Sequence, residues 1–254
     1  MPESKKAVLE ARLQKRLRMT RIKNFSEYCD FLFSEEGTSE RVDFIDAVTT
    51  HKTFFFREVE QIEYLCAHSL ANLYSDEYQP AGEFLDIWSA GCSSGEEAFS
   101  IAICLEEFKE QNPGFGLDYS ILATDVSVRA VEKAQSAVYS FEELDGVSDN
   151  RIRKYFLKSK DPSVRVKKVI PEIRQHLRSG VLNLNSNFQF DQKLDAIFCR
   201  NVMIYFDEQI KNQVVHRFTD NLREGGYLFI GSSESLRKID DRLKQVAPSV
   251  YRKT

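Results

Sequence analysis

No apolar stretch in this sequence approaches the run of about 20 residues that a helix needs to cross a bilayer, so no membrane insertion is expected. The N-terminus lacks the apolar core and small-residue cleavage site of a secretory leader, and a cytoplasmic location is expected. Glycine (11) and proline (6) are scarce among 254 residues, which excludes collagen-like and low-complexity chains. No two of the five cysteines form a C-x-x-C pair: Cys29, Cys66, Cys92, Cys104 and Cys199 are scattered and odd in number. That argues against a disulfide framework and a structural zinc site, and no metal is expected. Cys104 and Cys199 lie inside apolar runs and read as small buried hydrophobes.

What is present is a soluble, globular composition, 42% hydrophobic and 29% charged. The net charge of −4 is unevenly spread. Residues 1–23 carry Lys5, Lys6, Arg12, Lys15, Arg16, Arg18, Arg21 and Lys23 against Glu3 and Glu10, a net of +6, leaving −10 for the remainder. A basic arm on an acidic body suits an anionic partner, or is simply a solvated helix face. It lacks the interleaved aromatics of a nucleic-acid surface, so no nucleic acid is expected as partner.

Residues 5–70 read as helical. Leu9, Leu13 and Leu17 recur at i, i+4, i+8 and line one side of a helix. Phe25, Tyr28, Phe31 and Leu32 begin a second pattern, interrupted near Glu36-Gly37-Thr38. Phe44, Ile45 and Val48 mark a third, and a fourth runs from Glu58 to Leu70. Ser75 to Gly82 reads as a linker, which predicts a helical N-terminal domain over 1–74 and a second domain over 75–254.

Beyond the linker, short apolar runs alternate with amphipathic stretches. The runs are Phe84–Trp88, Tyr119–Ala123, Leu194–Cys199 and Tyr227–Ile230. They suit strands buried on both faces, and their alternation with helices predicts an α/β fold with a parallel sheet. Between Phe156 and Leu184 the alternation lapses, and a small antiparallel insert is expected there, about 156–182.

Ligands of such sheets bind beyond the carboxyl ends of the strands, which draws attention to four segments. The first strand leads into Ser89-Ala90-Gly91-Cys92-Ser93-Ser94-Gly95-Glu96-Glu97. Small residues allow close approach, but the acidic pair would repel a pyrophosphate. The segment is either a site for a ligand bearing hydroxyls or positive charge, or a plain turn with acidic helix capping. The second strand ends in Asp125, either an acceptor for ribose hydroxyls or a helix cap. After the buried strand at 194–199 come Arg200 and Asn201, poor candidates for packing, and then Tyr205 and Phe206. The fourth segment, Val48–Glu58, holds three consecutive phenylalanines that one helix face cannot bury. A lid or hinge could, with Arg57 presented to a cleft, where a guanidinium can clamp a carboxylate.

Together these segments resemble the CheR-type chemotaxis receptor methyltransferases, S-adenosylmethionine-dependent enzymes that esterify glutamates. The stretches TTHKTFFFRE (49–58), WSAGCSSGEEAFSIA (88–102), ILATDVSVRAVEKA (121–134), FCRNVMIYFD (198–207) and EGGYLFIGSSESL (224–236) carry the resemblance, which covers nearly the whole chain. It implies a Rossmann-like class I methyltransferase sheet with a small β-subdomain insert, preceded by an α-helical N-terminal domain. It further implies that Thr53, Arg57, Glu96, Asp125, Asn183, Leu184, Arg200 and Asn201 line the cofactor site. Arg57 and Tyr205 would lie nearest the transferred methyl, while Arg12, Arg16 and Arg18 would contact an acidic, helical substrate on the cytoplasmic domain of a chemoreceptor. The product would be S-adenosylhomocysteine, and the enzyme a monomer.

Two departures from the family pattern stand out. His51 occupies a position where the family usually has Asn; it keeps a hydrogen-bond donor and makes the contact sensitive to pH. The loop Leu157–Ser163 is short and contains no glycine, whereas relatives that grip a receptor's C-terminal tail tend to a longer, glycine-containing turn. That favours a receptor engaged without tail tethering. The rival readings are a methyltransferase acting on another protein or small carboxylate, and a non-catalytic module that only binds cofactor.

Overall fold

A computed structural model describes residues 3–73, 84–161, 163–236 and 239–254. The expected linker Ser75–Gly82, and with it the boundary after residue 74, lies outside the described residues.

The N-terminal segment forms three helices, α1 (Glu3–Thr20), α2 (Phe25–Phe33) and α3 (Thr38–Val48). Leu17, Tyr28 and Leu32 make a small core that Leu13, Ile22 and Phe44 complete. The leucine stripe of α1 thus faces inward, as its spacing predicts. Asn24 starts α2 by accepting the Glu27 amide at 2.9 Å. The break expected near Gly37 is a tight turn, where a Cβ would lie 2.0 Å from the Phe31 carbonyl oxygen. The fourth helical stretch is α4 (Val59–Tyr64), a π-helical turn (Leu65–Ser69) and α5 (Leu70–Leu73).

The remainder alternates: β1 (Phe84–Ala90), α6 (Glu96–Gln111), β2 (Asp118–Asp125), α7 (Val128–Ser136), β3 (Val138–Ser140), α8 (Asp149–Tyr155), β4 (Phe156–Lys158), β5 (Val166–Val169), α9 (Pro171–Arg174), β6 (Leu177–Val181), β7 (Leu194–Cys199), α10 (Glu208–Asn221), β8 (Leu222–Ile230), β9 (Leu243–Ala247) and β10 (Val250–Lys253). The main sheet runs β6-β2-β1-β7-β8-β10-β9. Its first five strands are parallel, and β10 and β9 close the edge antiparallel. The fold is α/β and Rossmann-like. All four apolar runs became strands because helices cover both faces: Ile87, Trp88, Ile121, Ala196, Ile197, Phe198 and Phe229 are each 1% exposed or less. Trp88 packs edge-on against Phe190 and Phe218, with centroids 4.9 and 5.3 Å away.

The antiparallel insert exists, with bounds other than 156–182. The small sheet, in the order β3-β5-β4, already begins at Val138, and Leu177–Val181 pairs parallel with β2 as an edge of the main sheet. Strands of three residues carry no readable alternation, and β6, half exposed along its length, lacks the apolar run of its neighbours. The antiparallel pair β9–β10 was not foreseen at all.

At the amino end of the sheet Asp195 is 1% exposed. Its carboxylate accepts the Asp86 amide at 2.8 Å and pairs with Arg223 at 2.8 Å. Burial outweighs both contacts and pushes this carboxyl up to about 6. A folded-state pKa above the unfolded value means that the folded chain holds the extra proton between about pH 4 and 6. The associated stability is present at the acid end of that window and lost as pH rises through it. We predict that Asp195→Asn removes a stability decrease on the order of 2–3 kcal/mol across this range, measured by denaturant unfolding at closely spaced pH values. An unchanged slope would refute it.

Candidate functional site

The chain reverses its direction of travel across the sheet between β1 and β7, and a cavity of about 270 Å³ opens at the carboxyl ends there. The turn after β1 forms its floor. Gly91, at φ +84°, has no room for a side chain, since a Cβ would lie 2.5 Å from a Val202 methyl. The Gly91 and Cys92 amides both donate to the Thr124 carbonyl, at 2.8 and 2.9 Å, and Trp88 Nε1 donates to Thr124 Oγ1 at 2.8 Å. The turn is therefore pinned to β2.

The two acids that follow take different directions. Glu96 is buried and accepts Ser94 Oγ on both carboxylate oxygens, at 2.9 and 2.8 Å; it does not line the cavity. Glu97 does, accepting Ser89 Oγ at 2.6 Å and facing Arg200 Nη1 at 3.6 Å. The structure thus sets Glu97 rather than the expected Glu96 on the cavity lining, because adjacent positions on a helix point about 100° apart. Burial raises the Glu97 carboxyl above its ordinary range, against the opposing pull of Arg200.

Asp125 lines the cavity and is not the helix cap. Ser127 takes that role, its Oγ accepting the Ala130 amide at 3.0 Å. The Asp125 carboxylate receives the Ser93 and Ser127 amides, at 2.9 and 3.0 Å, and so fixes the loops after β1 and β2 together. Each oxygen retains acceptor capacity toward the cavity.

Beyond β7, Arg200 is 2% exposed at its side chain, and its Nε has no hydrogen-bond partner among the described residues. Nη2 donates to the Arg57 carbonyl. Asn201 adopts φ +60°, and Tyr205 ends a short 3₁₀ turn from Met203. Arg200, Asn201 and Tyr205 all line the cavity, as do Asn183 and Leu184 after β6.

The remaining wall is the non-helical stretch 49–58. His51, Thr53 and Arg57 line the cavity. His51 Nε2 lies 2.7 Å from Thr49 Oγ1, and Arg57 Nη1 donates to the Lys52 carbonyl at 3.1 Å. The three phenylalanines separate. Phe55 is buried, edge-on to Tyr139 and Phe156 at 4.9 and 5.4 Å. Phe56, at φ +58°, lies under the Arg151 guanidinium at 4.0 Å. Phe54 stays 48% exposed beside Arg57. A second hollow, about 440 Å³, opens there, lined by Lys52, Phe54, Arg57, Glu58, Ile204 and Tyr205 among others. Lys52 and Ile204 were given no role by sequence reasoning; Lys52 lies in the same segment as Arg57 and Ile204 adjoins Tyr205, the one signal that could have found them.

The three arginines of α1 part company. Arg16 gives Nε and Nη2 to both oxygens of Glu40, at 2.8 and 2.6 Å, and also pairs with Asp43. Tyr28 donates to the same Glu40 at 2.6 Å. Burial opposes charge on Glu40, yet the bonds from Arg16 and Tyr28 hold its carboxyl below the usual range. Arg12 donates to the Ala47 and Thr49 carbonyls, at 3.3 and 2.9 Å, closing the end of α3 just before the cavity wall. Only Arg18 points outward, with Lys15, Arg21 and Lys23. Of the three residues expected to contact substrate, Arg16 is thus paired internally and Arg12 is turned to the chain's own backbone. The physical reason is rotation: positions 12 and 16 share a side that meets α3, and 18 lies about 200° away from 16.

The donor set suits a ligand with a cationic centre, an anionic end and sugar hydroxyls: Glu97 and Asp125 supply the acids, and Arg200 a positive charge. We predict that Glu97→Gln weakens the S-adenosyl cofactor by about tenfold and flattens its loss of affinity on acidification, whereas Glu96→Gln stays within about threefold. Calorimetric titration with S-adenosylhomocysteine and S-adenosylmethionine reads both, and equal effects would refute the assignment. In the same assay Arg12→Ala is expected to weaken binding without any acceptor present, and Arg18→Ala to leave it unchanged.

Comparison with known proteins bears directly on this arrangement. Residues 51–252 match the family model "CheR methyltransferase, SAM binding domain", and residues 1–49 match "CheR methyltransferase, all-alpha domain". A chemotaxis protein methyltransferase of Borreliella burgdorferi is 34% identical over 253 residues, 100% of this chain and 88% of the relative. That of Escherichia coli is 32% identical over 252 residues, 99% of this chain and 84% of the relative. The chain belongs to the CheR methyltransferase family.

Proposed function

We propose that this enzyme transfers the methyl group of S-adenosylmethionine to glutamate carboxylates of chemoreceptors, forming glutamyl methyl esters and S-adenosylhomocysteine without a metal. The observation that carries the reading is the placement of Arg57 and Tyr205, which line both the inner cavity and the outer hollow. They stand where an acceptor would meet a bound cofactor.

S-adenosylmethionine, when bound, supplies an electrophilic methyl on a positively charged sulfur. The chain's residues have four tasks. Glu97 and Asp125 offer acceptors to cationic and hydroxyl groups. Arg200, on the lining of the same cavity, offers its positive charge to an anionic one. Arg57, anchored through the Lys52 carbonyl, presents a guanidinium at the mouth for the acceptor carboxylate. Tyr205, 53% exposed, offers a hydroxyl beside it. A glutamate with a pKa of about 4.3 is already an anion at neutral pH, so no general base is needed. What remains is alignment, which can contribute about 7–11 kcal/mol, and exclusion of water from a step that neutralises charge.

The outward cations Lys15, Arg18, Arg21 and Lys23 support electrostatic attraction of an acidic receptor bundle, an effect that salt screens. The short, glycine-free stretch Leu157–Ser163 of the sequence supports engagement without a tail tether.

The test is incubation of the purified chain with labelled cofactor and receptor-containing membranes, scored as base-labile methyl esters. Label on glutamates, lost from Arg57→Ala and reduced by about tenfold in Tyr205→Phe, is the expected result. Transfer to a small carboxylate alone, or none despite cofactor binding, would refute the proposal.

A further inference from the structure

Two carboxylates at the mouth have no part in the chemistry above. Glu234, 8% exposed, accepts three backbone amides among the described residues: Asn201 N at 3.0 Å and Gly231 N at 2.6 Å on Oε2, and Ile204 N at 3.1 Å on Oε1. Glu58, at φ +48°, accepts Ser232 N and Ser232 Oγ, each at 3.1 Å, and Asn201 Nδ2 at 3.4 Å, with Arg200 Nη2 3.7 Å away. Three segments distant in sequence meet there: the end of the cavity wall, the loop after β7 and the loop after β8. Gly231 adds a steric constraint, because a Cβ on it would lie 2.6 Å from Asn201 Nδ2 and 2.8 Å from Asn201 N.

We infer that Glu58 and Glu234 are positioning residues for methyl transfer, a pair of carboxylates that brace the Arg200–Tyr205 loop against the cavity. The inference rests on the site reading above. Left-handed backbone is unfavourable for a residue with a Cβ, and Asn201 holds it at φ +60°. Glu234 offsets that cost by taking the amide on one side of the kink and the Ile204 amide three residues on, immediately before Tyr205. Glu58 takes the Asn201 side chain. The loop's backbone is therefore fixed at the two places that aim Arg200 and Asn201 inward and Tyr205 across the mouth. Carboxylates suit the task because they accept and never donate. An amide of the same size would set an NH₂ group against at least one backbone N–H, whichever way it turned.

Glu234→Gln is the direct test, with Glu58→Gln and Gly231→Ala reaching the same loop from other sides. Well below each variant's unfolding midpoint, kcat at saturating cofactor is expected to fall about tenfold or more. S-adenosylhomocysteine should bind correspondingly more weakly, while the KM for receptor stays within about threefold. If Glu234→Gln does not fold, the other two decide. A purely structural role would lower the unfolding midpoint and leave kcat and cofactor affinity at wild-type values, and that pattern in the folded variants would overturn the inference. Wild-type protein that failed to bind S-adenosylhomocysteine would instead overturn the site reading on which it stands.

Discussion

A buried guanidinium organises the mouth of this sheet. Arg200 lies at the end of a fully buried strand with 2% of its side chain exposed. Taking such a charge out of water costs several kcal/mol unless partners replace the lost hydration. Glu97 and Glu58 face it at 3.6 and 3.7 Å, and the Arg57 carbonyl accepts one of its N–H groups. The partners come from two parts of the chain remote from Arg200 itself, so the cation can be satisfied only if the first helix of the sheet, the wall before α4 and the loop after β7 come together. The satisfaction is incomplete by one Nε donor. Glu97 is also imperfectly compensated, since burial still dominates its carboxyl. A cavity lined by this guanidinium and by an acid whose charge burial disfavours is polarised before any ligand arrives.

Much of the fold was legible because the strands are buried on both faces. Continuous apolar runs such as Ala196-Ile197-Phe198-Cys199 have few alternatives to a parallel strand once helical patterns flank them. The helical segment was legible for a different reason: a single leucine stripe and one interrupting glycine. The small sheet was misplaced where strands are too short for a period to register, and its third strand came from Val138–Ser140 rather than from within 156–182. Leu177–Val181 looked like part of the insert because an edge strand shows a mixed pattern even when it belongs to a parallel sheet.

The candidate site was legible in type more than in detail. Its positions at strand ends follow from topology, so Asp125, Arg200, Asn201 and Tyr205 fell where the rule for open sheets puts them. Which of two adjacent glutamates faces the cavity depends on helix phase, and motif spacing does not carry phase to better than one residue. Charge reads poorly for the same reason. Arg12, Arg16 and Arg18 are equivalent in composition, yet Glu40, Asp43 and two carbonyls consume the first two. An acid partner 24 residues away is invisible to any local pattern.

Those internal pairings join the helical segment to the cavity. Asp43 is shared between Arg16 of α1 and Arg129 of α7, and Asp46 between Arg129 and Ser127. Ser127 in turn donates its amide to Asp125. On the other side, Arg12 holds the Ala47 and Thr49 carbonyls at the point where α3 gives way to the wall bearing His51 and Thr53. The acidic face of α3 is thus a hub between the basic helix and both flanks of the cavity. The distance from α1 to the cavity wall is spanned by ion pairs and backbone hydrogen bonds. The basic helix is therefore tied by its inward-facing arginines to the residues that flank the cavity.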